Sequence, residues 1–417
     1  MSGRARPGDE PGAAPGFGWV VNSLLGELAG DPDIAWGSSL PAGHRPLWTF
    51  SLAPNAEDPY LLLPSDVIPA AQAAVHGLGN PLRSRDRALE AAVGIALRTR
   101  LPQRFAPTLY VSAPGPVAAH RTLLGHLATV VGRDDAVCAV ILGRRRPNRK
   151  PVIKVLSQRG DVLAFAKVGW NDLTRELVRT EVRNLARIAA ARPRTFRVPT
   201  VLEAGPWAGL ELLVTSPIPP ARRGEGPPLR MPGDATREIA RLDGTDATTF
   251  ASSSYRSDIR RRIRDGGADE VAPLLEAALA EVDTAWAGAE IPFGSWHGDW
   301  IPWNLLRADD QLFVWDWERA ATGVPVGSDV AHFRFDVEAK VRRRSPSESA
   351  RSSAEWTEHV AIGIGARPGS GRALALLNLM EMCLRFREGR GSGMPARDTT
   401  YVRGLRALMP SAPRTEA

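Results

Sequence analysis

The sequence has little cysteine: Cys138 and Cys383 are the only two in 417 residues. That excludes a multi-cysteine zinc site and a small disulfide-stapled domain. Both lie in apolar surroundings and read as core residues, with a single bridge between them as the alternative. No apolar run approaches the length needed to cross a bilayer, and the opening MSGRARPGDEPGAAPG lacks the apolar core of a secretory signal. No membrane partner is expected, and a cytoplasmic location is. There is no internal repeat, no zinc-finger spacing and no aromatic RNA-binding signature. This last absence matters because the chain is basic, with 53 Lys and Arg against 46 Asp and Glu and a formal charge of +7. A basic surface attracts phosphate-bearing partners. Here the excess is mostly arginine in short clusters, such as residues 144–146 and 342–344, and no nucleic-acid partner is expected without a recognition motif.

The composition is otherwise that of a globular chain, 43% hydrophobic and 24% charged, large enough for one or two cores. Residues 1–16 read as disordered. Residues 17–110 hold short apolar runs, Trp48–Leu52 and Tyr60–Leu63, and a helix-like stretch Arg87–Arg98, with no chemical motif. They are read as an N-terminal extension of unknown role. From about Pro107 the pattern changes. Val137–Leu142, Pro151–Ser157 and Val162–Val168 are β-branched runs separated by turn residues and predict three antiparallel strands. Residues 172–191 predict a helix, with Leu173, Leu177, Val178, Val182, Leu185 and Ile188 at helical spacing and Asp172 as its N-cap. Val198–Ala204 and Leu210–Ser216 add two strands. Residues 111–216 thus form one unit, and the Pro- and Gly-rich residues 217–234 a linker. Residues 235–417 are mainly helical, with helices expected at Ala235–Leu242, Ser257–Arg264, Glu270–Ala287 and Gly371–Phe386. The class is α+β: a small antiparallel sheet with one helix, then a larger helical lobe.

The strongest local signal is S-W-H-G-D-W-I-P-W-N-L-L-R-A-D-D-Q-L-F-V-W-D-W-E, residues 295–318. Leu305-Leu306, the polar turn Arg307–Gln311 and Leu312–Trp315 predict a hairpin. Asn304 enters the hairpin and Asp316 leaves it, so the two lie near each other, with Asp299 a few residues upstream. Three oxygen-bearing side chains at one place suit phosphoryl transfer. Mg²⁺ takes one or two protein oxygens and completes its shell with phosphates and water. Asn304 and Asp316 supply such oxygens, and Asp299 suits the proton of an attacking hydroxyl. The spacing Asp299-x-x-x-x-Asn304 matches the kinase arrangement of a base, a metal-binding Asn and then a metal-binding Asp.

H-G-D-x-x-x-x-N, a hairpin and D-W-E together resemble the aminoglycoside phosphotransferase and choline kinase family, which has a bilobal protein-kinase-like fold. The resemblance implies an ATP- and Mg²⁺-dependent transfer to a hydroxyl of a small molecule, and no residue discriminates against GTP. It implies that His297 braces the catalytic loop and that Glu318 belongs to the metal turn. It also implies that Asp329, in G-S-D-V-A, has a structural role, capping or pinning the helix that follows. Lys167, ending the third strand, would orient nucleotide phosphates, with Glu181 as its ion-pair partner and Glu176 as the alternative. Leu212–Ser216 would be the segment against which adenine stacks and bonds to backbone. The turn Gly143–Lys150 departs from protein kinases in lacking G-x-G-x-x-G. Missing H-R-D, D-F-G and A-P-E patterns weigh against a protein kinase. Retention of Lys167, Asp299, Asn304 and Asp316 weighs against a catalytically silent nucleotide-binding relative.

From Asp336 to Ala417 there are 14 Lys and Arg against 9 Asp and Glu. That balance disfavours a polycationic acceptor and favours a neutral or acidic hydroxyl compound such as a sugar, nucleoside, amino alcohol or carbohydrate-linked intermediate, with an antibiotic-like compound as a further candidate. Trp296, Trp300 and Trp303 offer either a stacking face for a sugar or core packing, the commoner fate of tryptophan. Oligomeric state is not legible.

Overall fold

The computed structural model describes residues 21, 24, 34–76, 84–99, 106–116, 121–142, 150–220, 225–388 and 399–410. The disorder expected at residues 1–16 and the arginine turn 144–146 lie outside them. Two units divide the chain: Met1–Arg183 with Pro199–Pro219, and Asn184–Val198 with Pro220–Ala417.

The first unit is built on one nine-stranded sheet. Its strands are β1 (Ala35–Gly37), β2 (Arg45–Ala53), β3 (Leu61–Pro64), β4 (Thr108–Ala113), β5 (Val137–Ile141), β6 (Val152–Leu156), β7 (Val162–Gly169), β8 (Val201–Trp207) and β9 (Leu210–Thr215). They lie in the order β1-β4-β2-β3-β5-β6-β7-β9-β8, every neighbouring pair antiparallel. The β-branched runs of β5 to β7 alternate faces. Val140, Ile153, Val155, Ala164, Ala166 and Val168 join Phe50, Leu52, Val111 and Leu127 in one core, while Ala139 and Leu156 pack with Leu61, Leu63, Ala70 and Ala74 in another. The helices are α1 (Ile68–Val75), α2 (Ser84–Arg98) and α3 (Leu123–Val130), whose first turn is capped by the Thr122 hydroxyl. The fourth, α4 (Asp172–Ala191), begins here, and the division falls within it at Arg183.

Two expectations need correction. Residues 17–110 and 111–216 were read as separate segments, yet β4 runs across that boundary and β3 pairs with β5, Leu61 opposite Ile141 and Leu62 opposite Val140. An edge strand leaves a row of unpaired amides and carbonyls; β3 covers the one that β5 would otherwise expose. The segment Leu212–Ser216 was expected to offer backbone groups to adenine. Instead β9 is interior, paired with β7 through Phe165↔Thr215 to Gly169↔Glu211 and with β8 on its other side. Its ladder groups are already committed, and the Ser216 amide donates to Thr200 O at 2.8 Å.

The second unit is mainly helical: α5 (Gly233–Ala240), α6 (Ser254–Asp265), α7 (Ala272–Ala285), α8 (Ser328–Asp336), α9 (Pro346–Ile364), α10 (Gly371–Glu388) and α11 (Thr400–Leu408). A three-stranded sheet, β10 (Asp246–Thr249), β11 (Glu290–Trp296) and β14 (Ala321–Pro325), and the hairpin β12 (Leu305–Ala308) with β13 (Gln311–Val314) complete it. Helix α10 is buried almost all round from Ala373 to Leu384, which is why it carries apolar residues on every face, interrupted only by Asn378 and Glu381, in place of an amphipathic stripe. Its neighbours in the core are Ile259, Leu275, Trp286, Val330, Phe335, Ile364 and Leu405.

Candidate active site

Strand β11 delivers His297 at its end, fully buried against Trp317 and Trp300 with ring centroids 4.4 and 5.5 Å away. The imidazole has one possible neutral tautomer. Its Nε2 faces the Trp315 carbonyl at 3.0 Å and so carries the proton, while Nδ1 accepts from the Asp299 amide at 3.1 Å. Burial pushes the His297 pKa down despite Asp329 and Asp299 nearby. The ring is therefore a neutral brace between the loop and the end of the hairpin.

Gly298 follows with φ of +79°, and a Cβ there would lie 2.3 Å from the Arg319 carbonyl oxygen. Both backbone conformation and space demand glycine where protein kinases carry arginine. Asp329, in the first turn of α8, accepts from the His297 amide at 2.7 Å and the Gly298 amide at 3.1 Å. Its role differs from the expected one. The N-cap of α8 is Gly327, and the Asp329 carboxylate turns back to pin the loop, leaving the following helix uncapped by it. Burial pushes the Asp329 pKa up, opposed by His297 and the two amides.

Asp299 accepts from the Asn304 Nδ2 at Oδ2, 2.8 Å, and the same nitrogen lies 3.0 Å from the Asp299 carbonyl. Asn304, in the 3₁₀ turn Pro302–Asn304, thus directs its amide nitrogen to Asp299 and keeps its Oδ1 for another partner. Its carbonyl accepts from the Trp315 amide at 3.2 Å, which ties the entrance of the hairpin to its exit. The tip of the hairpin, Asp309-Asp310, has positive φ at both residues (48° and 58°), suiting a tight two-residue turn.

Asp316 leaves β13 in the left-handed region, φ 69° and ψ 52°, at the start of the turn Trp317–Arg319. Such a conformation in a non-glycine residue is a cost that surrounding structure must hold in place. Asn184 does part of this, donating to Trp317 O and Ala320 O, both at 2.9 Å. A carboxylate oxygen of Asp316 and one of Glu318 lie within 4.8 Å of each other. Two like charges so close favour a cation between or beside them. The donor set fits Mg²⁺: carboxylates and an amide oxygen, all hard.

The other Asp299 oxygen, Oδ1, is 3.3 Å from Nε2 of His332, a residue of α8 that is 1% exposed. Burial alone would push Asp299 up; the His332 hydrogen bond and the charges of His332 and Arg385 outweigh it and hold the carboxyl well below its usual range. Arg385, from α10, reaches the Gly298 carbonyl at 2.7 Å, bonds Glu381 at 2.8 Å and stacks over Trp296. His332 and Arg385 had no signal in the sequence, since they come from helices 33 and 86 positions beyond Asp299 and obey no local spacing. Trp296 and Trp300 are buried in the core and closed to a sugar; Trp303 is half-buried, with Lys340 Nζ 5.1 Å from its ring.

In the first unit, Lys167 on β7 donates to both oxygens of Glu181 on α4 at 2.7 Å. Glu181 is 3% exposed, so this pair removes what would be a costly buried charge. Glu176, the alternative, is exposed and bonds Thr180 and Arg183.

Residues 162–351 match the model of the phosphotransferase enzyme family, the family that the loop, hairpin and D-W-E motif resembles. That span runs from β7, which carries Lys167, through the whole of residues 295–318. Among curated protein sequences, none matches the chain. Several solved structures are similar. A choline kinase from Streptococcus pneumoniae is 13% identical over 68% of this chain and 96% of its own, with a TM-score of 0.44. A thermostable mutant of an aminoglycoside phosphotransferase is 15% identical over 68% and 96%, TM-score 0.44. A putative fructosamine-3-kinase from Thermobifida fusca is 20% identical over 69% and 98%, TM-score 0.43. The α+β class expected from the sequence stands, with a sheet larger than expected.

Proposed function

We propose that this chain, carrying a phosphotransferase-family segment at residues 162–351, moves the terminal phosphoryl group of ATP to a hydroxyl of a small molecule. One observation carries the reading: Asn304 bonds Asp299 through its nitrogen while its oxygen stays available beside the hairpin exit that presents Asp316. The Asn304 side chain thereby ties itself to Asp299, and its carbonyl, bonded by the Trp315 amide, ties it to the strand end that leads into Asp316. Asp299 orients the acceptor hydroxyl and takes its proton as the oxygen bonds to phosphorus and the bond to the leaving ADP oxygen breaks. Held as a carboxylate, it is ready to accept that proton without first losing one. Asn304 and Asp316, with Glu318 close to Asp316, would hold Mg²⁺, which would neutralise phosphate charge. Lys167, aligned by Glu181, takes a phosphate oxygen of the nucleotide.

The acceptor is a neutral or acidic hydroxyl compound and not a polycation, given the excess of basic residues after Asp336. The test is a panel of hydroxylated metabolites, neutral, acidic and cationic, assayed for ADP formation with Mg²⁺ and either ATP or GTP. An acceptor-dependent signal that falls by about a thousandfold in Asp299→Ala, with nucleotide affinity within about threefold of wild type, supports the reading. Full turnover in that variant contradicts it.

A further inference from the structure

Asp299 is gripped at both oxygens, and only one grip belongs to the motif that the sequence displays. Asn304 holds Oδ2, and His332 approaches Oδ1. The His332 ring is enclosed, and its other nitrogen, Nδ1, lies 2.8 Å from the side-chain oxygen of Asn378 on α10. The direction of the Asp299 bond follows from chemistry alone. A carboxylate oxygen only accepts, so Nε2 must be protonated. Turning the Asn378 amide end for end would change what Nδ1 carries and would leave Nε2 a donor. Asn378 is 2% exposed and its amide nitrogen has no partner among the described residues, so that amide is oriented by the histidine contact.

A purely structural role would be met more cheaply by an apolar side chain. The core around α8 contains Val330, Ala331, Phe333 and Phe335, all at most 2% exposed, and His332 adds an imidazole to that setting whose Nε2 points at a partly exposed carboxylate. Burying such a group is unfavourable unless its bonds are made. The bond it makes fixes the carboxylate's rotation about its Cβ–Cγ axis, which decides which lone pair faces an acceptor hydroxyl.

We infer that His332 is a positioning residue for the reaction: through Nε2–H it locks the Asp299 carboxylate in the orientation that receives the acceptor proton, with Asn378 holding the ring. This rests on the proposed role of Asp299 as base, and the experiment separates the two claims. His332→Leu, His332→Gln and Asp299→Ala are compared with wild type for acceptor phosphorylation and for ATP hydrolysis without acceptor. His332→Leu is expected to lower kcat by about 10- to 100-fold while leaving KM for ATP within about twofold. His332→Gln, which keeps a terminal N–H donor, should recover at least about a third of that loss on a logarithmic scale. A His332→Leu enzyme with wild-type kcat, beside an inactive Asp299→Ala, overturns this inference alone. Full activity in Asp299→Ala overturns the reading beneath it.

Should His332→Leu fail to fold, the wild-type protein supplies a second readout. Imidazole ¹⁵N NMR should show the His332 Nε2 protonated at pH 8, with its signal moving in Asp299→Asn. An unprotonated Nε2, or a signal indifferent to that substitution, contradicts the proposal.

Discussion

The buried side chains of residues 35–113 and of residues 290–336 are held by different forces. The first stretch is fixed by a backbone ladder and apolar packing; among its described residues the buried polar side chains are two hydroxyls, Ser51 and Ser112. The second buries Ser295, His297, Asn304, Ser328, Asp329, His332 and Asp336. Each such group opposes folding unless it is bonded. A fold that needed only stability would fill those places with apolar side chains. The concentration of bonded polar groups around Asp299 therefore marks where this chain gives up packing for chemistry, and its near absence from residues 35–113 fits a supporting role as continuation of the sheet.

That contrast can be broken by substitution. Gly298→Ala should have the largest effect. The added methyl meets the Arg319 carbonyl in a backbone conformation that alanine resists, so turnover should fall by at least about 100-fold and the protein should lose about 2–4 kcal/mol of stability. Kinetics and a denaturant melt would read both. An alanine variant with normal turnover would mean that the loop is not held as described.

Glu381 gives the next effect, and it is visible in acid. Burial would raise this carboxyl, but Arg385 and Arg262 outweigh it and bring its pKa down to about 2. The folded-state value lies below the unfolded one, so the stabilisation is present above about pH 4.5 and is lost as pH falls towards 2. Over that window it amounts to about 3 kcal/mol. Glu381→Gln should flatten the acid limb of the stability profile there, and an unchanged limb would show that the pair of arginines is not felt. The smallest effect is expected in the other stretch. Ser112→Ala removes a hydroxyl 3.3 Å from His44 Nδ1, and should cost about 1 kcal/mol in a melt with no change in turnover.

The same contrast explains what the sequence could reveal. The segment 295–318 was readable because its functional groups are joined by a hairpin of a few residues, so spacing along the chain equals placement in space. Helix α4 was readable from its apolar stripe, and Glu181 from its setting on that stripe. The grip of His332 and Arg385 was not readable, because long-range packing of α8 and α10 makes it. The runs Trp48–Leu52 and Tyr60–Leu63 were visible as apolar, but no local pattern states that β3 pairs with β5. Helix α9 carries a local signature of its own, the capping box of Ser345 and Glu348 with Pro346 at its first position. Asp329 lay in a recognisable pattern, yet the direction of its carboxylate, back to the loop, depends on where β11 ends.

The account depends most on Asn304 and Asp316 holding a divalent ion beside Asp299. The direct test is nucleotide affinity by calorimetry, with Mg²⁺ and with EDTA, for wild type and Asp316→Ala. Wild type should bind ATP at least about tenfold more tightly with Mg²⁺, and Asp316→Ala should lose most of that difference while its EDTA value stays near wild type. An Asp316→Ala protein with the full Mg²⁺ enhancement would contradict the account.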